Sequence, residues 1–241
     1  MAPYLIVSDI HANMEALRAV LDDSRGRYEK ILCLGDLVGY GADPNPAVEW
    51  ARANLTAIVR GNHDKACCGN EPLEDYHPAA RMSATWTREE LTSENLEYLD
   101  KLARGPLRYD DFDLSHGSPA DEDEYVLTVS DASPLREAVC AQTTFFGHTH
   151  LQGGFVLTRS GARRIPPEGI FELEPDHYYL VNPGAVGQPR DGDPRAAYAI
   201  YSPQQRTIEY RRVDYDIDQA ASKIRAAGLP ASLAARLYAG T

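Results

Sequence analysis

Short apolar runs that end in polar side chains recur along the first part of the chain. Residues 4–7, 30–34 and 56–59 are three such runs, and each has the length and composition of a buried strand. Amphipathic helices separate them: one begins after Asn13, which can cap it, and the next covers residues 44–54 with proline near its start. This alternation predicts parallel βαβ units, whose functional sites form at the carboxyl ends of the strands.

The pattern changes after the third strand. Residues 79–91 and 93–102 have helical periodicity, so we predict a helical insertion at about 65–104. Strands are expected again over residues 112–115 and 143–146, and a helix over residues 133–140. Beyond residue 150, strand-like segments joined by Gly- and Pro-rich turns predict a second, mostly antiparallel sheet. These segments cover residues 155–158, 170–173, 178–181, 197–201 and 207–213, and helices are expected over 217–227 and 231–238.

The length and net charge of the chain limit the number of domains and the classes of protein to which it can belong. The candidate ligands described below run from residue 9 to residue 150, and a domain boundary inside that span would split the site. Residues 1–241 are therefore expected to form a single domain. The hydrophobic content of 43% suits a globular core. The net charge of −12 disfavours a protein that binds long nucleic acid, because Lys and Arg hold phosphate backbones.

The spacing of the cysteines and the lengths of the apolar stretches indicate the cellular compartment of the protein. The four cysteines show no C-x-x-C spacing, which is typical of reduced thiols rather than of a disulfide framework. The sequence has no basic region followed by a long apolar stretch, and no run long enough to span a membrane. We therefore expect a cytoplasmic protein with no membrane partner, and the sequence leaves its oligomeric state open.

Five short motifs place metal-ligand side chains at the ends of predicted strands. Their sequences are Ser8-Asp9-Ile10-His11, Gly35-Asp36, Gly61-Asn62-His63-Asp64, Ser115-His116-Gly117 and Gly147-His148-Thr149-His150. Carboxylate, imidazole and amide oxygen together suit divalent Mn, Fe, Zn, Co or Ni, with Mn favoured, whereas Ca²⁺ prefers oxygen donors alone. The candidate ligands are Asp9, His11, Asp36, Asn62, His116, His148 and His150.

Seven ligands can serve two ions if one of them is shared, and we predict that Asp36 is the shared one. Each ion then has four protein ligands, and water can complete each shell. Two ions about 3.5–4 Å apart are the arrangement that clamps an in-line displacement at phosphorus, with one bridging hydroxide as the nucleophile. Alternate residues of an extended segment point to opposite sides. His148 and His150 therefore both reach the metals only if they straddle two ions or if the chain turns.

Taken together, these motifs resemble those of the calcineurin-like metallophosphoesterases. Asn182-Pro183-Gly184, after a further strand, is similar to the small bacterial phosphodiesterase-like members of that family, so the similarity reaches about residue 200. The resemblance implies an α/β fold, a four-layer α-β-β-α sandwich of two mixed sheets flanked by helices, with a dinuclear centre. It also implies the ligand sets: Asp9, His11, Asp36 and His150 for the first ion, and Asp36, Asn62, His116 and His148 for the second.

The resemblance further implies catalytic roles for His63 and Asn62. His63 matches the family's histidine that is not a ligand and that assists the leaving group. Where the protein serine/threonine phosphatases have Asp and Arg, this chain has Gly39 and Tyr40, which argues against that branch and leaves the partner of His63 open. Asp64 is one candidate partner, and a turn-forming carboxylate is its other interpretation.

The sequence therefore predicts a metal-dependent phosphoesterase that hydrolyses a small phosphodiester or a nucleotide-like phosphate. A dinucleoside polyphosphate hydrolase and a phosphomonoesterase or protein phosphatase are alternatives, and the complete ligand set argues against a non-catalytic scaffold of the same fold. Arg190 and Tyr40 are predicted to bind substrate, with a solvated loop arginine and core packing as their alternatives. His77 could line the pocket, and Asp121-Glu122-Asp123-Glu124 is expected to be a solvated loop.

Overall fold

Two six-stranded mixed sheets pack face to face, and helices cover the outer face of each sheet. The structure is a computed structural model and describes residues 3–241. Its four layers confirm the α-β-β-α sandwich that the resemblance implies. The strands are β1 (Tyr4–Val7), β2 (Lys30–Cys33), β3 (Ala57–Ile58), β4 (Leu107–Tyr109), β5 (Phe112–Leu114), β6 (Thr143–Phe145), β7 (Gly153–Thr158), β8 (Gly161–Ile165), β9 (Gly169–Glu172), β10 (Tyr178–Asn182), β11 (Ala196–Ser202) and β12 (Thr207–Val213).

Most helices fall where the sequence periodicity indicates. They are α1 (Met14–Asp23), α2 (Pro44–Asn54), α3 (Asn62–Cys68), α4 (Pro78–Glu90), α5 (Ser93–Asp100), α6 (Val129–Ala132), α7 (Ile217–Ala226) and α8 (Ala231–Ala239). Helix α3 was not predicted, because it is short and begins within a motif that was interpreted as a strand end. The helix expected over residues 133–140 also differs, because α6 begins earlier and a 3₁₀ helix follows it over Ser133–Glu137. Thr128 fixes the early start, since its hydroxyl accepts a hydrogen bond from the N–H of Asp131 at 3.2 Å.

Strand β1 shows how the layers are packed. Tyr4 and Ile6 face the core between the two sheets, whereas Leu5 and Val7 belong to the cluster that β1 forms with α1 and α2. All four side chains are buried, as expected for a strand that is covered on both faces. Among residues 3–241, every helix is too short or too polar to cross a membrane.

The strands after residue 150 are shared between both sheets. The first sheet has the order β3-β2-β1-β11-β12-β9, and the second has the order β4-β5-β6-β10-β7-β8. The prediction of one separate antiparallel sheet after residue 150 was therefore wrong. Alternating hydrophobicity shows which segments are extended, but it does not show with which strand each one pairs. Strands β4 and β8 were not predicted, because both are short and largely polar.

Candidate metal centre and substrate cleft

One group of buried donors gathers where β1 and β2 end. Asp9, His11, Asp36 and His150 each offer an atom to a cluster whose members all lie within 4.8 Å of one another. The Nε2 atom of His150 is 3.3 Å from Oδ1 of Asp9, and Nε2 of His11 is 3.6 Å from Oδ2 of Asp36. The two Nε2 atoms of His11 and His150 are 3.2 Å apart, so both rings point at one place.

A second group shares Asp36 with the first. Its other members are His116 and His148, and the donor atoms again lie within 4.8 Å of one another. Nε2 of His116 is 3.4 Å from Oδ2 of Asp36, 3.1 Å from Nδ1 of His148 and 3.1 Å from Oδ1 of Asn62. The structure thus brings the seven predicted ligands together in the two sets that the resemblance implies, with Asp36 between them.

The four histidines are oriented by backbone carbonyl groups. In each ring, the nitrogen that faces away from the cluster lies within hydrogen-bond distance of a main-chain oxygen and would donate its proton there. The pairs are His11 Nδ1 with Val38 O at 2.9 Å, His116 Nδ1 with Leu34 O at 2.7 Å, His150 Nδ1 with Gln188 O at 2.5 Å, and His148 Nε2 with Asp123 O at 3.1 Å. Each inward nitrogen then keeps a lone pair, which is the usual second-sphere arrangement of metal-bound histidine.

The buried carboxylates of the cluster need a nearby positive charge. Both oxygens of Asp9 and Oδ2 of Asp36 are buried without a hydrogen-bond partner among residues 3–241. Buried carboxylate oxygens that lack donors are costly unless a positive charge lies beside them. Two such carboxylates surrounded by inward imidazole lone pairs fit divalent transition-metal ions.

Several of the candidate ligands have left-handed backbone conformations, which direct their side chains toward the cluster. The φ angles are +54° for Asp9, +49° for His11, +54° for Asp36, +64° for His148 and +59° for His150. Non-glycine residues rarely adopt such angles, and they concentrate at functional sites. Because the chain turns at both His148 and His150, and because the two side chains join different groups, both reach the centre.

Charge interactions among the clustered side chains are strong. Burial would lower the pKa of His116, but the carboxylates of Asp36 and Asp9 together outweigh burial and raise that pKa to about 10. Burial, with the charge of His116 beside it, lowers the pKa of His148 to about 3. Because protons and metal ions compete for imidazole nitrogens, metal binding at this cluster should depend on pH.

Asp64 supports the turn that carries Asp36 and does not touch His63. Its Oδ2 accepts hydrogen bonds from the N–H groups of Asp36 and Gly61, and its Oδ1 accepts one from the N–H of Leu37, all at 2.9 Å. Both carboxylate oxygens are committed to backbone groups. Of the two interpretations of Asp64, the structure favours the turn-forming carboxylate.

His63 lies beside the metal ligands without belonging to either group. Its ring packs 4.3 Å from that of Tyr40 and 4.9 Å from that of His11, measured between ring centres. Its Nδ1 is buried and has no hydrogen-bond partner among residues 3–241. A Cβ atom on Gly39 would lie 2.6 Å from that nitrogen, which is closer than van der Waals contact allows, so glycine at position 39 makes room for the His63 ring. Burial lowers the pKa of His63 to about 4, which keeps the ring neutral until an anion approaches it.

An open cleft of about 410 Å³ leads to this centre. Its walls include the four side chains that the sequence analysis connected with substrate or the leaving group, namely Tyr40, His63, His77 and Arg190. The Nη2 atom of Arg190 is 3.4 Å from the Tyr40 hydroxyl and 3.2 Å from Oε1 of Gln188. His77 also caps α4, because its Nδ1 accepts a hydrogen bond from the N–H of Ala79.

Two tyrosines of the cleft were missed by the sequence analysis. The Tyr76 hydroxyl accepts a hydrogen bond from Nδ2 of Asn62 at 3.1 Å, which turns the amide oxygen of Asn62 toward His116. The ring of Tyr125 lies 3.9 Å from that of His148, and this tyrosine is 48% exposed. Both residues come from segments between regular elements, where periodicity gives no signal.

The acidic run over residues 121–124 is not simply a solvated loop. Glu122 is buried and binds Arg60 through two hydrogen bonds of 3.0 and 2.7 Å. Lys65 of α3 binds Asp123, and the carbonyl of Asp123 faces His148. The prediction was wrong for Glu122 because the compensating cations lie far away in sequence.

The turn over Asn182-Pro183-Gly184 supports the last motif. Nδ2 of Asn182 donates to the carbonyl of Gly147 at 2.9 Å and to the Thr149 hydroxyl at 3.0 Å. Asn182 therefore holds the segment that carries His148 and His150.

Several known proteins resemble this chain in fold and sequence. The profile of the calcineurin-like phosphoesterase superfamily domain matches residues 3–206. A metallophosphoesterase from Sphaerobacter thermophilus, known from a crystal structure, is 40% identical with a TM-score of 0.88, and the match covers 99% of both chains. An uncharacterized protein of Methanocaldococcus jannaschii is 39% identical over 246 residues, covering 98% of this chain and 97% of that protein. A hypothetical protein of Pyrococcus horikoshii OT3 has the same fold, with 19% identity, a TM-score of 0.81, and coverage of 100% and 99%.

A two-sheet sandwich with buried carboxylates and histidines at one edge defines a metallophosphoesterase, which hydrolyses phosphoric esters with divalent metal ions. The chain belongs to the calcineurin-like phosphoesterase superfamily.

Proposed function

We propose that the chain hydrolyses small phosphodiesters or nucleotide-like phosphates at a pair of divalent transition-metal ions, with manganese favoured. The observation that carries the proposal is the position of Asp36. Its unpartnered Oδ2 lies 3.6 Å from Nε2 of His11 and 3.4 Å from Nε2 of His116, between two donor groups that end at an open cleft.

The two ligand groups define where the ions would lie. Asp9, His11, Asp36 and His150 would hold the first ion, and Asp36, Asn62, His116 and His148 would hold the second. When bound, such ions stabilise charge on the phosphoryl oxygens and lower the pKa of a water molecule that attacks phosphorus. The carbonyl groups of Val38, Leu34, Gln188 and Asp123 keep the four histidine rings in the tautomers that this arrangement requires.

His63 would protonate the departing oxygen. It lines the cleft next to the ligand Asn62, and neither donor group needs its ring nitrogens. The negative charge of a bound phosphate raises the pKa of a neighbouring imidazole, so the ring can take up a proton as substrate binds. Asn62 would orient the same phosphate through its amide while its oxygen faces the second ion.

Arg190 and Tyr40 would bind the substrate at the wall of the cleft. The guanidinium carbon of Arg190 is 5.6 Å from the centre of the Tyr40 ring, and no carboxylate binds this arginine among residues 3–241. A guanidinium group in an open cleft without a carboxylate partner suits recognition of a phosphate group of the substrate.

The dimensions and charge of the molecule support a small substrate. A cleft of about 410 Å³ is in the usual range for small-molecule sites. The net charge of −12 offers little attraction to a long phosphate backbone, so duplex DNA should be a poor substrate. The cysteines at positions 33, 67, 68 and 140 are free, which supports a reducing compartment such as the cytoplasm.

A substrate panel on metal-loaded protein tests the proposal. Monoesters, linear and cyclic diesters and dinucleoside polyphosphates would be compared after elemental analysis has counted the ions per chain. We expect two ions, loss of activity with a chelator, and preference for a small diester or nucleotide-like phosphate. Fully active protein with one ion or none would contradict the dinuclear site, and rapid cleavage of duplex DNA would contradict the substrate class.

A further inference from the structure

We infer that the cleft binds a second anionic group of the substrate between Arg190 and Arg236, so that the substrates are phosphate esters that carry a second phosphate group. This inference rests on the proposed function, since it describes the substrate of that same site. It assigns a role to Arg236, which lies in α8, beyond the residues 3–206 that match the superfamily profile.

Helix α8 holds Arg236 at the cleft. Its apolar face buries Leu233, Ala234 and Leu237 in one cluster with Tyr40. Arg236 lies on the adjacent face, half-buried, and lines the cleft together with Tyr40 and Arg190. Tyr40 therefore connects the two arginines: Arg190 lies over its ring, and the ring belongs to the same apolar cluster as α8.

Arg190 and Arg236 lack a carboxylate partner in a strongly acidic chain. The sequence has 36 Asp and Glu residues and 24 Lys and Arg residues. Four other half-buried arginines each bind a carboxylate, namely Arg27, Arg60, Arg211 and Arg212. Within residues 3–241, Arg190 and Arg236 have no carboxylate within salt-bridge distance, and Nε of Arg190 is buried without any hydrogen-bond partner.

The acidic residues of the cleft do not neutralise this pair. Lys65 lies within ion-pair distance of both Glu71 and Asp123, and Glu71 also accepts a hydrogen bond from the Tyr76 hydroxyl. Asp75 is exposed at the rim. Among residues 3–241, Arg190 and Arg236 therefore keep their charge for a ligand, although Nη2 of Arg190 also contacts the neutral side chains of Tyr40 and Gln188. Guanidinium groups bind phosphate through charge-assisted hydrogen bonds.

A charge count indicates a second anionic group rather than the scissile phosphate alone. In the proposed function two dications bring four positive charges to the floor of the cleft, and Asp9 and Asp36 remove two. The centre already attracts a singly charged diester. Two further guanidinium charges at the wall match a substrate that has another phosphate some distance from the scissile one.

Two chromogenic esters test the inference with the metal-loaded protein. They are the 4-nitrophenyl ester of thymidine 5′-phosphate and the same ester with an added 3′-phosphate. We expect wild-type kcat/KM to be higher for the ester with the added phosphate. Arg236→Gln should lower kcat/KM on that ester by roughly tenfold to a hundredfold, the range for one hydrogen bond to a charged group, and should change the other ester little.

Arg225→Gln is the matched control, because Arg225 is an exposed arginine of the neighbouring helix α7 and is absent from the cleft. This variant removes the same charge and should leave kcat/KM on both esters unchanged. If the wild type hydrolyses both esters equally well, or if Arg236→Gln slows both equally, the second-phosphate subsite is wrong while the proposed function stands.

A binding measurement separates the subsite from the chemistry. Calorimetry would compare thymidine 3′,5′-bisphosphate with thymidine 5′-phosphate on wild type, Arg236→Gln and Arg225→Gln. Tighter binding of the bisphosphate that is lost only in Arg236→Gln supports the subsite, even if neither ester is hydrolysed and the proposed function fails. Equal affinities of the wild type for the two nucleotides overturn it.

Discussion

The Asp64 carboxylate accepts hydrogen bonds from the backbone N–H groups of Asp36 and Leu37, each at 2.9 Å. It thereby ties the first turn of the third motif to the turn that carries the shared ligand. The φ angle of +54° at Asp36 needs such external support, because a non-glycine residue does not hold that conformation readily.

Asp64→Asn should disturb this turn. The amide has only one acceptor oxygen, so its NH₂ group would face backbone donors that have lost their partner. We expect the free energy of unfolding to fall by about 2–4 kcal/mol and both metal ions to bind more weakly. Urea unfolding and metal titration would measure the two effects. Asp214→Asn, at an exposed position, should change neither, and unaltered metal binding in Asp64→Asn would refute the support role.

Asp36→Asn should damage both metal positions together. The neutral amide removes the negative charge that the two donor groups share. We expect elemental analysis to find fewer than one ion per chain under conditions that load the wild type with two, and activity to fall with it. Retention of one full equivalent would show that Asp36 serves a single ion.

His63→Ala should lower the turnover of esters with poor leaving groups more than that of esters with good leaving groups. A sugar alkoxide needs a proton to depart, whereas a nitrophenolate does not. We expect turnover to fall by about 10²–10⁴-fold on a nucleoside or alkyl ester and clearly less on a nitrophenyl ester, with both metals retained. Equal losses on the two esters would indicate phosphate binding instead, and loss of a metal would make His63 a ligand.

Glu122→Gln should weaken one ion selectively. Glu122 binds Arg60 and thereby fixes the loop whose Asp123 carbonyl orients His148. Loss of such second-sphere support typically costs about 10–100-fold in metal affinity. Stepwise metal titration should show this loss for the ion held by His148 and none for the other. Glu124→Gln, an exposed change in the same loop, is the control, and equal weakening of both ions would contradict the assignment.

Asp23→Asn should make the stability less dependent on pH. Hydrogen bonds from the Tyr198 hydroxyl and from Arg211 lower the pKa of Asp23 against the opposing effect of burial. A lowered pKa in the folded state stabilises the protein above the unfolded value of about 3.9, and this stabilisation is lost as the pH falls through the folded value. The variant should lose about 1–2 kcal/mol of stability at pH 7, and this loss should shrink as the pH falls through the folded-state pKa of Asp23.

Unfolding followed by denaturant at several pH values would check this expectation. Asp22→Asn is the matched control, since the Asp22 side chain is 69% exposed and, within residues 3–241, forms its ion pair with the exposed Arg25. If Asp23→Asn lowers the free energy of unfolding equally at low pH, then packing rather than charge stabilises the contact of α1 with β11 and β12.

The clustering of the candidate metal ligands could be predicted because their signal is local. Asp9 and Asp36 each follow a buried strand directly, and strands of one parallel sheet bring their carboxyl ends together. Residue type then limits the chemistry. The fold followed from the same motifs through their resemblance to a family, whereas the partition of the later strands between two sheets did not, since pairing depends on distant partners.

Features that depend on long-range packing could not be predicted. The carbonyl groups that orient the histidines carry no sequence signal, because every residue has one. Glu122 is compensated by Arg60 and Lys65, which precede it by more than fifty positions. The spacing within α8 predicts an apolar face, but it does not indicate that Arg236 reaches the cleft.

The pairing of Leu5 with Ile200 has a consequence for biosynthesis. All seven candidate metal ligands precede residue 151, so a ribosome exposes the complete set before it has made β11. Until then the central strand β1 lacks one of its two neighbours, and pairing between such distant segments forms slowly. The nascent chain therefore offers carboxylates and imidazoles to cellular cations without the geometry that selects among them.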